Sequence, residues 1–204
     1  MSEFTYENND SKFELETFEW DNVWIDHAPD TTLPRVLYIG DSISCGTRRV
    51  ATLQTDEKIL FDGFGTSKSL DNPYFKESVL LFARQQPHRD AIIINNGLHG
   101  WHLDDDHEYK EYYKEMLEFL MENFKGTPLY VVTTTHITRA ERQDRVVARN
   151  KVALALAKEL GLGVIDLYSV TYKNPELIGG DGIHLTPDGY AKLAETIINT
   201  LNLE

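Results

Sequence analysis

A serine in a short, glycine-bounded run could act as a nucleophile. Residues 40–46 read GDSISCG and follow the apolar run VLYI at residues 36–39. Such an apolar run is typical of a buried parallel strand, and ligands of α/β proteins bind outside the carboxyl ends of these strands. The pattern therefore predicts that Ser42 exposes its hydroxyl on a strand-to-helix turn. Helix capping by Asp41 and Ser42 explains the same residues about equally well.

A histidine and an aspartate near the other end of the chain could activate that serine. Residues 180–190 read GDGIHLTPDGY, with Asp181 shortly before His184. A serine hydroxyl is a weak nucleophile until a base takes its proton, and the base needs a third group that fixes its tautomer. We expect Asp181 and His184 to meet on one turn. Thr186 and Pro187 predict the start of a helix, and that role is compatible with this chemistry.

Together the two motifs resemble those of the SGNH hydrolases, also called the GDSL esterase and lipase family. GDSI at residues 40–43 is similar to the nucleophile block of the family, and DGIH at residues 181–184 is similar to its Asp-x-x-His block. The resemblance covers roughly residues 34–202. It implies a flavodoxin-like three-layer α/β/α sandwich and hydrolysis of an ester, often an O-acetyl group on a sugar. It also implies a catalytic triad of Ser42, His184 and Asp181.

Members of the family stabilise the developing oxyanion with N–H donors, which usually contribute the largest share of the rate enhancement. They use the N–H of the nucleophile, a glycine N–H after the second strand and an asparagine amide after the third. The resemblance therefore implies Ser42 and Gly65 as donors, with Gly63 as the alternative to Gly65, although both glycines also suit a simple turn. His99, in the run GLHG at residues 97–100, stands in the place of the asparagine. Because a histidine ring N–H can donate a hydrogen bond, His99 is the predicted third donor, with Asn95 or Asn96 as the alternative.

Five further residues are candidates for contact with a substrate. They follow predicted strands, and they are Asp41, Asn95, Asn96, Trp101 and His136. The alternative for the two asparagines is strand-end turn chemistry, for Trp101 it is packing, and for His136 it is a surface loop. Residues 99–107 also hold three histidines and three aspartates. Their spacing matches no ligand motif, so the sequence predicts no metal site.

Composition and charge fit one soluble enzyme domain. The chain has 204 residues, with 20 basic and 33 acidic side chains and a net charge of −13. This charge argues against nucleic acid and an anionic membrane as partners, because no basic patch appears. The single cysteine, Cys45, excludes an internal disulfide. No apolar run approaches the roughly 20 residues that span a bilayer. The first residues lack the basic and apolar regions of a signal peptide, so we expect a cytoplasmic protein or one whose signal peptide has been removed.

Apolar runs alternate with helical patterns along the chain, which predicts a five-stranded parallel sheet with right-handed crossovers. The predicted strands are residues 36–39, 58–61, 91–94, 129–133 and 164–167. The predicted helices are residues 72–83, 106–124, 143–160 and 187–201. Residues 34–204 form the predicted hydrolase domain. Residues 1–33 are predicted as an N-terminal arm packed on that domain, with residues 20–25 as an apolar lead-in to the first strand.

These observations favour a serine esterase that acts on a small acyl ester, with an O-acetyl carbohydrate as the favoured substrate and with no cofactor. The predicted partner is thus a small-molecule or glycan ester. One alternative is a lysophospholipase or thioesterase, which needs a long apolar groove. The other is a carbohydrate-binding module on the same scaffold that has lost activity through His99 and Gly100. The presence of the serine, the histidine and the aspartate favours an enzyme.

Overall fold

Within residues 15–16, 18–86 and 88–203, which the computed structural model describes, a six-stranded sheet forms the middle layer. The strands β1 to β6, in chain order, are Asp21–Trp24, Arg35–Gly40, Leu60–Thr66, Ala91–Ile94, Leu129–Val132 and Gly163–Ile165. They lie side by side in the order β1-β3-β2-β4-β5-β6. Strands β2 to β6 pair in parallel, and β1 pairs antiparallel with β3 at one edge.

Helices cover both faces of this sheet. The helices α1 to α6 are Ser42–Gln54, Phe75–Ala83, Asp106–Asn123, Ala140–Leu160, Leu167–Lys173 and Pro187–Leu201. Successive side chains of a strand point to opposite faces. Val36 and Tyr38 of β2 therefore join a core cluster with α1 and α6, whereas Leu37 and Ile39 join a second cluster with α2 and α3. Among the described residues, no helix combines the length and apolar character needed to cross a membrane.

The predicted three-layer α/β/α architecture is confirmed, and so are its five parallel strands. Residues 20–25, expected as a lead-in, instead contain β1, because the edge of β3 offers backbone partners that the sequence pattern alone does not reveal. Helix α5 was not predicted, since its seven residues are too few to show a helical period. Residues 1–14 and 17 of the predicted arm lie outside the described residues. The division of the chain at residue 34 stays a prediction.

The contact between α1 and α6 brings together two regions that lie far apart in the sequence. Helix α1 begins at Ser42, and α6 begins at Pro187, just after His184. A Cβ added at Gly46 would lie 2.3 Å from the ring of Tyr190. A glycine inside a helix costs roughly 0.5–1 kcal/mol relative to alanine. The close approach of the two helices explains why a glycine stands at this position.

We expect Gly46→Ala to lower the free energy of unfolding by about 1–3 kcal/mol, because an extra carbon in a packed interface forces neighbouring atoms to move. Urea denaturation followed by circular dichroism measures the change. The matched double variant Gly46→Ala/Tyr190→Leu removes the obstructing ring, so its cost should be smaller than the sum of the two single costs. Strictly additive costs would show that this contact does not limit the approach of the helices.

Candidate active site

Ser42 lies where β2 ends and α1 begins. Asp41 caps the helix, since its Oδ1 accepts a hydrogen bond of 2.9 Å from the N–H of Ile43. Ser44 closes the turn by donating from Oγ to the carbonyl oxygen of Asp41 at 2.7 Å. A Cβ at Gly40 would lie 2.7 Å from the Cβ of Ser44, so this turn requires a glycine. Ser42 is thereby held in the first helical turn, beside the positive end of the helix dipole.

His184 and Asp181 approach Ser42 from the loop before α6. His184 Nε2 lies 3.0 Å from Ser42 Oγ, and His184 Nδ1 lies 2.6 Å from Asp181 Oδ2. A neutral imidazole that donates Nδ1–H to the carboxylate has an acceptor at Nε2 for the serine hydroxyl. The structure therefore brings together the three residues that the sequence motifs single out, with the imidazole in the middle.

The carboxylate of Asp181 is held ionised. Burial alone would raise the pKa of Asp181, but hydrogen bonds from the His184 ring and from two backbone N–H groups outweigh it and lower this pKa below its usual value. The backbone donors are those of Ile183 and His184, and both reach Oδ1 at 2.9 Å. Oδ2 is consequently left to the imidazole. An ionised carboxylate at this place favours the tautomer with hydrogen on Nδ1.

The turn at residues 181–184 is held by the connection between β5 and α4. Gly182 has a φ of +79°, in the left-handed region that favours glycine. Its carbonyl oxygen accepts a hydrogen bond of 2.9 Å from the N–H of Thr138. Arg139 donates from Nε to the carbonyl oxygen of Asp181 at 2.9 Å. The loop that carries the histidine is thus fixed to the body of the domain.

A cleft of about 360 Å³ opens beside Ser42, a size within the usual range for small-ligand sites. Its lining residues are Trp20, Asp21, Asn22, Ser42, Cys45 and His184. Three of these six precede β2, in the segment predicted as an N-terminal arm. The sequence signal for them was the pair of tryptophans in residues 20–25, which we interpreted only as apolar. Burial raises the pKa of the Cys45 thiol, which disfavours the thiolate and therefore a role for Cys45 as a nucleophile.

Polar contacts fix the segment before β2 to the end of β3. The carboxylate of Asp21 lies 2.6 and 2.7 Å from Lys68 Nζ. The backbone N–H of Trp20 donates to Ser67 Oγ at 2.8 Å, and this hydroxyl donates to Glu19 Oε2 at 2.9 Å. These bonds hold the residues that form one wall of the cleft.

A buried pair, Glu16 and His99, fixes the same segment to the loop after β4. Glu16 Oε1 lies 3.0 Å from His99 Nδ1 and accepts a bond of 3.2 Å from the N–H of Gly100. His99 is only 1% exposed. From the other side, Arg149 donates to the carbonyl oxygens of His99 and Gly100 at 2.6 and 2.7 Å. We call this pair the Glu16–His99 anchor.

Two of the predicted oxyanion donors have surroundings that favour structural roles. Gly65 lies inside β3, opposite Gly40 of β2 and Asn22 of β1. The N–H of a strand residue with a neighbour on each side lies in the plane of the sheet, directed at a strand and not at the cleft. His99 forms the anchor with Glu16, and neither His99 nor Gly65 lines the cleft. Their roles as oxyanion donors stay predictions.

Asn95 and Asn96 join loops to one another and do not line the cleft. Asn95 Nδ2 donates to the carbonyl oxygen of Val132 and to Thr134 Oγ1, each at 2.9 Å, which uses both of its hydrogens. Asn96 Nδ2 donates to the carbonyl oxygen of Lys68 at 2.9 Å. Both side chains are buried. Strand-end turn chemistry, the alternative from the sequence, accounts for them better than substrate contact.

The remaining candidates for substrate contact also have structural partners. Trp101 packs against two cations of α4, since the guanidinium groups of Arg149 and Arg142 lie 4.7 and 5.1 Å from its ring centre. His136 makes edge-on contacts with two tyrosine rings of α5. Asp41 is the cap of α1. None of the three lines the cleft, and the contacts of Trp101 correspond to the packing role that was the alternative from the sequence; the aromatic ring in the lining of the cleft is that of Trp20.

Two histidines of residues 99–107 are paired with carboxylates. His99 meets Glu16, and His102 Nε2 lies 2.8 Å from Asp71 Oδ2. Within the described part of the chain, no group of three or more His, Cys, Asp or Glu side chains is arranged to hold a metal ion.

Comparison with known proteins identifies the fold. No protein-family model matches the sequence, and no curated protein matches it significantly. Among solved structures, the chain is similar to a lipase/acylhydrolase from Enterococcus faecalis (20% identity, TM-score 0.66, covering 82% of this chain and 94% of that one). It is also similar to a member of the lipolytic G-D-S-L family from Veillonella parvula (18% identity, TM-score 0.69, covering 83% of this chain and 99% of that one). A third similar structure is the acetyl xylan esterase AlAXEase (18% identity, TM-score 0.61, covering 81% of this chain and 98% of that one). The chain has the fold of the SGNH hydrolases, as the sequence motifs implied.

We expect His99→Ala to lower the free energy of unfolding by about 1–3 kcal/mol, because it removes the hydrogen-bond partner that His99 Nδ1 provides to the buried Glu16 carboxylate. Turnover per folded molecule should change little. Chemical denaturation and kcat on p-nitrophenyl acetate, measured on the same samples, test this. The exposed histidine variant His107→Ala serves as the control, and His99→Asn replaces the alanine variant if that does not fold. A kcat loss of about 10²–10³-fold with normal stability would instead identify His99 as an oxyanion donor.

Proposed function

We propose that this chain is a serine esterase that hydrolyses small acyl esters through an acyl-enzyme formed on Ser42. The observation that carries this proposal is the continuous hydrogen-bonded chain from Ser42 Oγ through His184 to Asp181 at the edge of a ligand-sized cleft. Nucleophile, base and orienting group stand in the order that acyl transfer requires. The fold shared with known esterases agrees with this reading.

The geometry supports a two-stage reaction. His184 Nε2 takes the proton of Ser42 as Oγ attacks the ester carbonyl carbon, and Asp181 stabilises the imidazolium that forms. The negative charge on the carbonyl oxygen is stabilised by the N–H of Ser42 in the first turn of α1, where the helix dipole is also favourable. The tetrahedral intermediate collapses and releases the alcohol, which takes its proton from His184. Water, activated by the same histidine, then attacks the acyl-enzyme and releases the acid.

The substrate that we propose is an O-acetyl ester on a carbohydrate. The cleft of about 360 Å³ has a wall with an aromatic ring, a carboxylate and an amide from Trp20, Asp21 and Asn22. Such a wall suits a small ester of a hydroxylated alcohol better than a long acyl chain. An acetyl xylan esterase and a lipase/acylhydrolase both occur among the similar structures. Rates that rise from acetate to octanoate p-nitrophenyl esters would therefore favour the lysophospholipase or thioesterase alternative.

We expect Ser42→Ala to reduce kcat by about 10⁴-fold or more while the melting temperature stays near that of the wild type, because the members of a triad act as a unit. Release of p-nitrophenol from p-nitrophenyl acetate measures the loss. A fluorophosphonate probe should label Ser42 and no other serine, with Ser78→Ala as a control that keeps both activity and labelling. A Ser42→Ala variant with most of its turnover would exclude this mechanism. A wild type that binds acetylated glycans without hydrolysing any ester would favour the binding-module alternative.

We expect kcat/KM to rise with pH as His184 loses its proton, because only the neutral imidazole can accept the serine proton. The pKa of Asp181 is lowered from its usual value of 3.8, so this carboxylate is already ionised at any pH above 3.8. The rise in kcat/KM therefore reports the histidine and not the aspartate. Asp181→Asn keeps the shape but favours the wrong tautomer, and should cost roughly 10³–10⁴-fold in kcat. Asp188→Asn, on an exposed acid of α6, is the control. A fully active Asp181→Asn variant with a flat pH profile would contradict the role of His184 as base.

A further inference from the structure

Asn22 of β1 stands in the wall of the cleft, in the same lining as Ser42 and His184. It belongs to the edge strand and is exposed to solvent. The sequence motifs do not single out Asn22, because it lies before GDSI at residues 40–43, the first motif of the resemblance. Its amide has an acceptor oxygen and a donor NH₂ group, so the orientation of the amide decides which kind of ligand atom it can bind.

Arg48 settles the orientation of the Asn22 amide. Arg48 Nη2 lies 2.6 Å from Asn22 Oδ1, and Arg48 Nη1 lies 2.9 Å from the backbone oxygen of the same residue. A guanidinium has donors only, so the amide atom that faces it must be the oxygen. The NH₂ group of Asn22 is consequently turned away from Arg48. No described residue accepts a hydrogen bond from it in the structure.

The guanidinium that holds Asn22 is itself fixed. Arg48 is 5% exposed and crosses β3 above Gly63, where an added Cβ would lie 2.2 Å from Arg48 Cδ. Only a glycine at residue 63 lets the arginine reach the edge strand. Arg48 also belongs to α1, the helix that begins at Ser42, so one rigid element positions both the serine and the amide.

The chemistry of the leaving group decides which part of the substrate meets this wall. His184 must give its proton to the alcohol oxygen, so that oxygen has to lie within hydrogen-bond reach of His184 Nε2. The same cleft that His184 lines is also lined by Trp20, Asp21 and Asn22. Asp21 already accepts from Lys68 at 2.6 Å, which leaves the Asn22 NH₂ group as a donor for the alcohol part.

We propose that Asn22 is a specificity-determining residue whose NH₂ group donates a hydrogen bond to a hydroxyl or ether oxygen on the alcohol part of the ester. The ring of Trp20, on the same wall, offers apolar surface to the carbon skeleton of that alcohol. This inference rests on the proposed esterase function and extends it to a substrate class, esters of hydroxylated alcohols. Arg48 acts as the positioning residue for Asn22.

The test compares kcat/KM for acetylated xylobiose and for p-nitrophenyl acetate, whose leaving group carries no hydroxyl. Asn22→Ala should lower kcat/KM for acetylated xylobiose by about three- to tenfold, the value of one neutral hydrogen bond, and leave p-nitrophenyl acetate within about twofold. The variant loses the bond from Arg48 Nη2 but keeps the backbone oxygen that binds Nη1, so we expect a modestly lower melting temperature, which affects both substrates alike. Val23→Ala, the neighbouring exposed position of the same strand, is the matched control and should change neither substrate. An equal effect of Asn22→Ala on both esters would overturn the inference.

A binding measurement separates this inference from the proposed chemistry. Ligand-detected NMR with acetylated xylobiose uses Ser42→Ala, which does not turn the sugar ester over. A saturation-transfer signal that is clearly weaker in Ser42→Ala/Asn22→Ala than in Ser42→Ala at the same sugar concentration supports the role of Asn22 even if the wild type hydrolyses no ester. A signal of equal strength in both variants overturns it, whatever the activity of the wild type.

Discussion

The close approach of α1 and α6 is the constraint on which the candidate site depends. Ser42 starts one of these helices, and His184 lies just before the other, so the packing of the helices sets the 3.0 Å distance between the two side chains. The approach is possible because Gly46 presents no side chain to the ring of Tyr190. Parallel strands place both helix starts at the same edge of the sheet. The hydrogen-bonded chain is therefore a product of packing as well as of sequence motifs.

The second constraint is the strand β1, which together with the preceding Trp20 contributes residues to the lining of the cleft. Without Trp20, Asp21 and Asn22, half of the residues that line the cleft would be missing. This strand is short and exposed, and an edge strand of four residues has little stability of its own. Side-chain bonds from Lys68 and from Arg48 hold it in place. The wall of the site thus rests on polar contacts and not on an apolar core.

The sequence predicted those features that depend on local pattern or on motifs. The strand Ala91–Ile94 and the helix Pro187–Leu201 have the predicted bounds, because each is an apolar run or an amphipathic pattern with clear end signals. The strand β1 was missed since its partner lies about 40 residues away, and pairing at that distance leaves no local trace. For the same reason the contact of Glu16 with His99 could not be predicted, and His99 was interpreted from its position in a motif alone.

The aromatic and polar residues after β4 show why motif position is a weak guide to orientation. Residues of one loop point in different directions, and a neighbour distant in sequence decides which of them faces the ligand. Trp101 is drawn to the guanidinium of Arg149, and His99 to the carboxylate of Glu16, so both are used in holding the loop. A buried cation or carboxylate without a partner would be costly, which makes these pairings strong determinants of side-chain orientation. The cleft beside Ser42 is lined instead by Trp20 and by Asp21 and Asn22 of β1.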